Sequence, residues 1–249
     1  MLSVNNLIGF GGRRQAAAGG GITDPTDLTN LFAWWDGDQD VTVTTSPSVD
    51  SWDDQVSAYS LTPPGTEPHQ TTSDLNGHDT ILQESGGGTG ALDFPSGFYN
   101  GLASNNTTSF LVVNQHDAVD NSGRAVSVGR YNSYDWGFGH DPTNGWYFAS
   151  NNAGTIVTPG DGDDFGSWRI LCGYRDGTEQ GINIDGGTFA TSTDADNLAT
   201  SSMTGKMFSD GGGGSTLFCK IAELIVYTEK KSADDIAAVI TYLQNKYAL

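Results

Sequence analysis

The hydrophobic pattern at the C-terminal end of the chain predicts a buried strand followed by an amphipathic helix. Residues 221–227 are mostly apolar without alternation, which is typical of a strand buried on both faces. Ser232 is a good helix N-cap, and Asp235 follows three residues later, as in a capping box. Apolar residues then recur at helical spacing, at Ile236, Val239, Ile240, Leu243 and Tyr247. We therefore predict a helix over 232–247 that packs on a larger body.

Shorter apolar runs occupy the chain from residue 31 onward, and turn residues separate them. Asn144-Gly145, Asp176-Gly177 and Asp185-Gly186 are typical hairpin turns. The predicted strands cover residues 31–35, 80–83, 91–94, 109–114, 125–130, 135–139, 145–150, 154–158, 168–174, 180–184, 206–209 and 217–227. Many short strands at even spacing predict an all-β sandwich.

The last 29 residues also carry a family resemblance. Residues 221–249 combine a strand that begins Ile-Ala-Glu, a Ser-capped helix and a final Tyr-Leu-Gln-Asn-Lys-Tyr. This combination resembles the end of LamG-like domains, which have the concanavalin A-like lectin/glucanase fold. Four earlier segments, at residues 31–38, 51–54, 168–174 and 181–187, resemble other strands and hairpins of that family. The resemblance implies a concanavalin A-like jelly-roll β-sandwich with one C-terminal helix, which we expect to occupy residues 28–249.

Residues 1–27 differ in composition and are predicted to form an extended N-terminal arm. Ten largely apolar residues are followed by a segment rich in Gly and Ala, a composition typical of an arm. Its predicted partner-binding residues are Leu2, Val4, Leu7, Ile8 and Phe10. The arm lacks the basic start and the long apolar run of a signal peptide, so we expect none. Residues 24–27, Asp-Pro-Thr-Asp, are expected to start the folded part with a capped turn.

The composition is strongly acidic. Asp and Glu number 30 against 11 Lys and Arg, and the formal net charge is −19. This charge repels phosphate backbones and anionic membrane surfaces. No stretch approaches the ~20 apolar residues that a membrane span needs. We therefore expect no nucleic-acid partner and no membrane insertion.

The catalytic motif that this fold would need is absent. A glucanase requires carboxylates paired on one strand, of the family type Glu-x-Asp-x-x-Glu, so that both face the same cleft. Glu223, in the Ile-Ala-Glu segment, is interpreted as a paired structural carboxylate instead. We therefore predict that the protein is not an enzyme.

Two acidic segments are candidates for binding Ca²⁺, which some LamG-like domains bind. The candidate ligands are Asp36, Asp38, Asp161 and Asp163. The first segment begins like an EF-hand loop, but Val41 replaces the required Gly and Pro47 stands where the bidentate Glu belongs. Solvated turns are the alternative that we favour. No other cofactor is predicted.

Two cysteines, Cys172 and Cys219, lie in predicted strands. A disulfide and a pair of reduced thiols are both compatible with this placement. We favour buried, reduced thiols, since nothing in the N-terminal sequence indicates export.

Aromatic residues are the remaining candidates for a binding site. Sugar C–H faces stack on exposed Trp and Tyr rings, while neighbouring Asp and Asn side chains bind hydroxyl groups. The candidate glycan-binding residues are Tyr131, Tyr134, Trp136 and Trp146. A role for these rings in the core or at a strand edge is an equally strong alternative.

A short Leu-Ile-Gly-Phe-Gly arm before a lectin-like sandwich resembles structural proteins of tailed bacteriophages. The resemblance implies a non-enzymatic virion surface protein, either a capsid decoration protein or a tail or fibre component, made in the host cytoplasm. We expect contacts with other virion proteins, such as capsid or tail proteins, in multiple copies or as a homo-oligomer. Host-surface glycans are further candidate partners. Two alternatives stay open, namely a carbohydrate-binding module of a bacterial protein and, disfavoured by the missing carboxylates, a glucanase.

Overall fold

Two antiparallel β-sheets packed face to face, a small third sheet and a C-terminal helix form the structure. The computed structural model describes residues 21–84, 90–102, 106–116, 123–130, 133–151, 156–157, 165–194, 204–209 and 216–249. Its strands are β1 (Leu31–Asp36), β2 (Val41–Thr42), β3 (Ser51–Asp53), β4 (Ser60–Leu61), β5 (His69–Leu75), β6 (His78–Leu82), β7 (Leu92–Asp93), β8 (Asn106–Gln115), β9 (Gly123–Arg130), β10 (Ser133–Asp141), β11 (Gly145–Asn151), β12 (Ile156–Val157), β13 (Trp168–Asp176), β14 (Glu179–Ile184), β15 (Ala190–Thr193), β16 (Gly205–Met207) and β17 (Cys219–Tyr227). The helices are α1 (Phe98–Leu102) and α2 (Ala233–Tyr247), and Pro25–Asp27 forms a 3-10 helix.

The large sheet has the strand order β15-β14-β13-β8-β17-β6-β5, and β1 also pairs with β17. The second sheet has the order β12-β11-β10-β9-β16-β7, and β2-β3-β4 form the small sheet. Strand β17 pairs with β8 along one edge and with β1 and β6 along the other. The predicted β-sandwich with one C-terminal helix and a central strand at residues 221–227 is thus confirmed.

The central strands of the large sheet are buried on both faces because they lie between two separate apolar layers. One layer fills the sandwich and includes Leu111 and Leu171 from the large sheet, with Phe138 and Phe148 from the second sheet. The other layer lies between the large sheet and α2 and includes Phe110. Neighbouring residues along β8, β13 and β17 therefore point into different layers, and both layers consist of buried apolar side chains. This explains why these strands are continuously apolar instead of alternating.

The two cysteines belong to different layers. Cys172 packs in the layer under α2, whereas Cys219 packs inside the sandwich. Both are free and buried, as predicted for reduced thiols. Burial raises the pKa of both thiols, which keeps them protonated and chemically inert.

Helix α2 is capped and buried as its pattern predicts. The Ser232 hydroxyl accepts a hydrogen bond from the Asp235 N–H group at 3.1 Å. The apolar stripe from Ile236 to Tyr247 packs on the large sheet, and Leu243 has no exposed surface. Most of the stability of such a helix comes from this stripe.

Several short elements carry no signal in the hydrophobic pattern. Strand β5 has the polar sequence HQTTSDL and lies at the edge of the large sheet, half exposed along most of its length. Because an edge strand with one solvated face needs few apolar residues, pattern analysis misses it. Strands β2, β3, β4 and β15 are short, and their residues are mostly half-buried or exposed, so they also form no apolar run. The short helix α1 was also not predicted.

The described start of the chain packs on the sandwich. Asp24 caps the 3-10 helix by accepting a hydrogen bond from the Thr26 N–H group, which confirms the predicted turn. The Tyr227 hydroxyl donates to the Pro25 carbonyl at 3.0 Å, and Ile22 contacts the layer under α2. Within the described ranges, no helix combines the length and the apolar character needed to cross a bilayer.

Candidate functional site

The two tryptophans predicted to form a glycan platform are buried. Trp136 and Trp146 are 0% and 1% exposed. Alternation along β10 and β11 directs both into the sandwich, where Trp136 lies edge-on to Phe148 with 6.5 Å between ring centroids. The prediction of an exposed platform is therefore wrong for these two rings. Tyr131 and the side chain of Tyr134 lie outside the described residues.

The predicted arm contacts cannot be placed in the same way. Residues 1–20 lie outside the described residues, and with them all five predicted anchors, Leu2, Val4, Leu7, Ile8 and Phe10. Their role in partner binding stays a prediction.

The acidic side chains considered for Ca²⁺ are engaged with the protein where the structure describes them. Asp36 is 1% exposed, and its carboxylate lies 2.7 Å from the Lys246 ammonium group. Asp38 lies 2.6 Å from Nδ1 of His78. The other two candidates, Asp161 and Asp163, are not among the described residues. Across the described ranges, no cluster of three or more His, Cys, Asp or Glu side chains is arranged to hold a metal ion.

A buried charged cluster joins the end of α2 to strands β1 and β17. Lys246 donates hydrogen bonds to Asp36 at 2.7 Å and to Glu223 at 2.8 Å. Glu223 also accepts hydrogen bonds from the Tyr247 hydroxyl at 2.8 Å and from the Trp34 indole N–H at 2.7 Å. Glu223 is therefore a paired carboxylate, as predicted, and its oxygens already have several donors.

One ammonium group serves two carboxylates in this cluster. Burial raises the pKa of Glu223, with the negative charge of Asp36 acting in the same direction and Lys246 opposing both. For Lys246, burial favours a lower pKa, but the charges of Glu223 and Asp36 outweigh burial and raise it. Lys246 is thus held firmly in its charged form. The arrangement is that of a structural clamp.

Three of the segments that carry the family resemblance, residues 31–38, 51–54 and 221–249, meet at or beside this clamp. Asp36 and Glu223 are opposite each other in the β1–β17 pairing. The Trp52 indole donates to the Asp36 carbonyl at 3.0 Å, and Asp54 accepts a hydrogen bond from the Trp34 N–H group at 2.6 Å. These contacts explain why tryptophans and carboxylates recur near the start of the chain and a Lys-Tyr pair at its end.

An open groove runs along one side of the helix. It lies between α2, from Ala233 to Gln244, and the turn after β14, and has a volume of about 360 Å³. The helix side of the groove consists of Ala233, Ile236, Ala237, Ile240, Thr241 and Gln244. The sheet side consists of Asn183, Asp185, Gly186, Gly187 and Phe189. This volume falls within the range of small-molecule sites, ~300–1,000 Å³.

A tight turn shapes the sheet side of the groove. Asp185 and Gly186 have φ values of 52° and 78°, and the Gly187 N–H group donates to the Ile184 carbonyl at 2.8 Å. Two successive positive φ values identify a type I′ turn, for which Asp-Gly is a preferred sequence. A Cβ atom at Gly186 would lie 3.5 Å from Ile240. The glycine therefore leaves open the space between the turn and the helix.

Two polar side chains lie on the sheet side of the groove. One is held by hydrogen bonds, and the other has an oxygen without a hydrogen-bond partner. Asp185 accepts hydrogen bonds from the Ile170 N–H group and from Arg169, both at 2.8 Å, which fixes its carboxylate. Asn183 is 2% exposed, and its side-chain oxygen has no hydrogen-bond partner. An unsatisfied buried polar atom costs ~1–3 kcal/mol, and this oxygen is buried in the wall of the groove.

The helix side supplies small and apolar surface. Ala233, Ala237 and Thr241 are exposed and recur every four residues, so they form one row along the helix. Ile240 is buried at the base of the groove. Phe189 is half-buried, and its ring lies edge-on to a neighbouring tyrosine. A ligand in this groove would thus meet polar groups on one side and apolar groups on the other.

The outer face of the second sheet is the other surface where a sandwich could bind a ligand. Tyr147 and Arg124 lie there on either side of Gly139 in the strand pairing. The Arg124 guanidinium stacks over the Tyr147 ring at 4.6 Å from its centroid. Both side chains are buried, at 1% and 5% exposure for Arg124 and Tyr147. The groove is therefore the more accessible candidate.

Sequence comparisons find no relative. No protein-family model matches the chain, and no curated protein sequence matches it. The LamG resemblance thus stays a prediction about the family.

Structure comparisons do find proteins with a similar fold. Trypanosoma rangeli sialidase in complex with sialic acid has a TM-score of 0.63 at 11% identity, over 91% of this chain and 36% of the sialidase. Domain 4 of the GH43 arabinanase AbnA from Geobacillus stearothermophilus, in complex with arabinotriose, has a TM-score of 0.59 at 12% identity. The match covers 86% of this chain and 98% of that domain. The binding domain of Botulinum Neurotoxin DC in complex with SialylT has a TM-score of 0.61 at 14% identity. The match covers 86% of this chain and 51% of the toxin chain. At these identities the likeness shows the fold alone.

The sialidases correct the prediction that the chain is not an enzyme. Several of the structures with this fold belong to Trypanosoma rangeli sialidase, and the chain spans about a third of their length, between 32% and 36%. The prediction relied on the absence of paired carboxylates. Sialidases use a tyrosine nucleophile, so that absence does not exclude a glycosidase. The prediction that the chain is not an enzyme was therefore wrong to rest on that absence.

Proposed function

We propose that the protein binds carbohydrate, with the groove between α2 and the turn after β14 as its binding site. The groove is open, it has a suitable volume, and it combines fixed polar groups with apolar surface. Proteins with a similar fold include an arabinanase domain in complex with arabinotriose. Their likeness supports this class of ligand for the fold, and the groove offers a place where such a ligand fits.

The observation that carries the proposal is the buried Asn183 side chain at the groove. The residue is only 2% exposed, and its carboxamide oxygen has no hydrogen-bond partner. Buried amides normally have a partner, so an exception calls for an explanation. Because this oxygen has almost no accessible surface, the Asn183 side chain would rotate toward the groove, where a sugar hydroxyl group would supply the missing hydrogen bond.

The remaining groups of the groove complement a sugar ring. The Asp185 carboxylate is held in place by Arg169 and keeps lone pairs that can accept from hydroxyl groups. Gln244 adds an amide at the far end of the groove, and Phe189 and Ile240 provide apolar surface for the C–H face of a sugar. Each group is thus assigned either to the hydroxyl edge or to the apolar face of the ligand.

We further propose that this binding domain is displayed in several copies on a virion surface. The N-terminal sequence supports this proposal through its apolar arm, in which Leu7 and Ile8 are central. A single saccharide contact is weak, and repeated copies would raise the overall affinity through effective concentration. Replacing both residues with Asp in the full chain should leave the circular dichroism spectrum unchanged and prevent incorporation in a reconstitution assay. Normal incorporation would refute the proposed attachment.

A glycan array tests the binding proposal. The wild-type chain should bind a defined subset of glycans, whereas the Ala237→Trp variant should bind them at least about tenfold more weakly, because an indole would fill the groove. Ala237 is exposed, so this substitution disturbs no packed side chain.

Asn245→Trp is the matched control. Asn245 is also exposed on α2 but does not line the groove. It should bind glycans like the wild type. Glycan binding that both variants retain equally would place the site elsewhere and overturn the assignment of the groove.

A further inference from the structure

The charges around the groove bear on which carbohydrates it accepts. Among the described residues that line the groove, only Asp185 is charged, and none is Lys or Arg. The nearest cation in the hydrogen-bond network is Arg169, which lies 2.8 Å from the Asp185 carboxylate and is neutralised by it. The groove therefore offers a ligand one negative charge and no positive charge of its own.

The N-terminus of α2 adds no net positive charge near the groove. The N-terminus of α2 carries a partial positive charge, but Asp234 and Asp235 lie in its first turn and offset it. The chain as a whole has a formal net charge of −19. A ligand carboxylate would lose its hydration in the groove without gaining a cationic partner, which is costly.

The same groups suit a ligand that is rich in hydroxyl donors. The Asn183 oxygen and the Asp185 carboxylate are hydrogen-bond acceptors at the groove. Neutral sugars present hydroxyl donors around an uncharged ring. The helix side, with Ala237 and Ile240, can meet the apolar face of that ring. Acceptors on one side and apolar surface on the other thus match a neutral saccharide.

We infer that the groove selects neutral saccharides and rejects sugars that carry a carboxylate, such as sialic acid. This inference rests on the proposed carbohydrate binding at the same groove and names its ligand class. Among the proteins of similar fold, one is in complex with arabinotriose and another with sialic acid. The fold occurs with both neutral and acidic sugars. The charge of this groove favours the neutral ones.

Lactose and sialyllactose provide a matched pair, since they differ only by the sialic acid. The array for the full chain should hold such pairs on many core glycans, together with arabinotriose and other neutral oligosaccharides. In each pair that binds, we expect the neutral member to bind at least about tenfold more tightly. Calorimetric titration with the best neutral glycan and its sialylated counterpart then measures the ratio in solution.

Thr241→Lys places a cation at the groove on an exposed helix position. We expect it to raise the affinity for the sialylated member relative to the neutral member by about tenfold. Asn245→Lys adds the same charge to the same helix outside the groove and should leave the ratio unchanged. Raising the salt concentration should reduce the effect of Thr241→Lys, because an exposed charge is screened.

The outcomes separate this inference from the proposed function. Tighter binding of sialylated glycans that Ala237→Trp abolishes would overturn the neutral selectivity and leave the groove as the site. Glycan binding that Ala237→Trp leaves intact, or no glycan binding at all, would overturn the proposed function itself. Neutral binding that is lost in Ala237→Trp and shifted toward sialylated glycans in Thr241→Lys supports both.

Discussion

The C-terminal end of helix α2 and the side of the helix that carries Ala237 meet the same sheet in different ways. At the C-terminal end, Lys246 and Tyr247 bind Glu223, and Leu243 is fully buried, so no space remains. Along one side of the helix, the exposed side chains of Ala233, Ala237 and Thr241 are small and border an open groove of about 360 Å³. The comparison shows one helix with a clamped end that stabilises the fold and an open flank that is available for a ligand. Substitutions can disrupt the clamp or fill the groove separately.

The largest expected effect comes from removing the cation of the clamp. Lys246→Met keeps the apolar stem but leaves Asp36 and Glu223 buried without a counter-charge. Breaking a buried pair in this way costs ~3–5 kcal/mol, so the free energy of unfolding in urea should fall by that amount.

Lys230→Met is the matched control for this variant. Lys230 pairs with Asp176 and Glu179 at 3.3 and 3.1 Å, where all three side chains are at least one-third exposed. Exposed pairs contribute at most ~1 kcal/mol. Equal losses of stability in the two variants would contradict the special role of the clamp.

Leu243→Ala tests the packing beneath the clamped end. Leu243 has no exposed surface and lies in the layer between α2 and the large sheet. Deleting its buried methyl groups should leave a cavity and cost ~2–4 kcal/mol in the free energy of unfolding. A loss within ~0.5 kcal/mol would show that the helix is not packed at this point.

A pH titration tests the electrostatics of Glu223. Its pKa is raised in the folded state from 4.5, chiefly by burial. The folded protein then holds this proton more tightly than the unfolded chain, so the stability that Glu223 contributes is greatest below pH 4.5 and falls as the pH rises through the folded-state pKa.

Glu223→Gln removes this titration and serves as the reference. The difference in the free energy of unfolding between wild type and variant should therefore become less favourable to the wild type as the pH rises, by about 1.4 kcal/mol for each unit of pKa shift. A difference that grows in favour of the wild type over the same range would mean that the pKa of Glu223 is lowered.

The smallest effect on stability is expected on the open flank. Ala237→Trp changes an exposed residue that lines the groove, so only the lower helix propensity of Trp counts against it. The free energy of unfolding should fall by no more than ~0.7 kcal/mol. A loss comparable to that of Leu243→Ala would mean that this part of the helix is packed and not open.

The sequence predicts the clamped end well because its signals are local. Helical spacing identifies Leu243 and Tyr247 as buried, and Ser232 identifies the start of the helix. Continuous apolar runs identify the central strands, since strands covered on both faces need no polar positions. Edge strand β5 is missed because its side chains are mostly polar.

The groove could not be predicted in the same way. Its residues come from the end of β14, from the loop that follows it, and from both apolar and polar positions of α2. Nothing in the sequence shows that Asn183 and Ala237 lie on the same groove. The Asp185-Gly186 pair signals a turn but not what the turn faces. Aromatic residues near predicted turns pointed instead to Trp136 and Trp146, whose inward direction depends on the strand register. Binding surfaces formed by distant segments require the tertiary structure.

Chemical-shift mapping tests most directly whether a ligand binds at the groove and not at the clamp. An amide spectrum of the full chain, titrated with the neutral glycan that binds best in the array, should show the largest shifts at Gly186, Gly187, Ala237 and Thr241. The amides of Glu223 and Lys246 should stay unchanged. Shifts concentrated away from the groove, with Gly186 and Ala237 unaffected, would contradict the assignment of the open flank as the binding site.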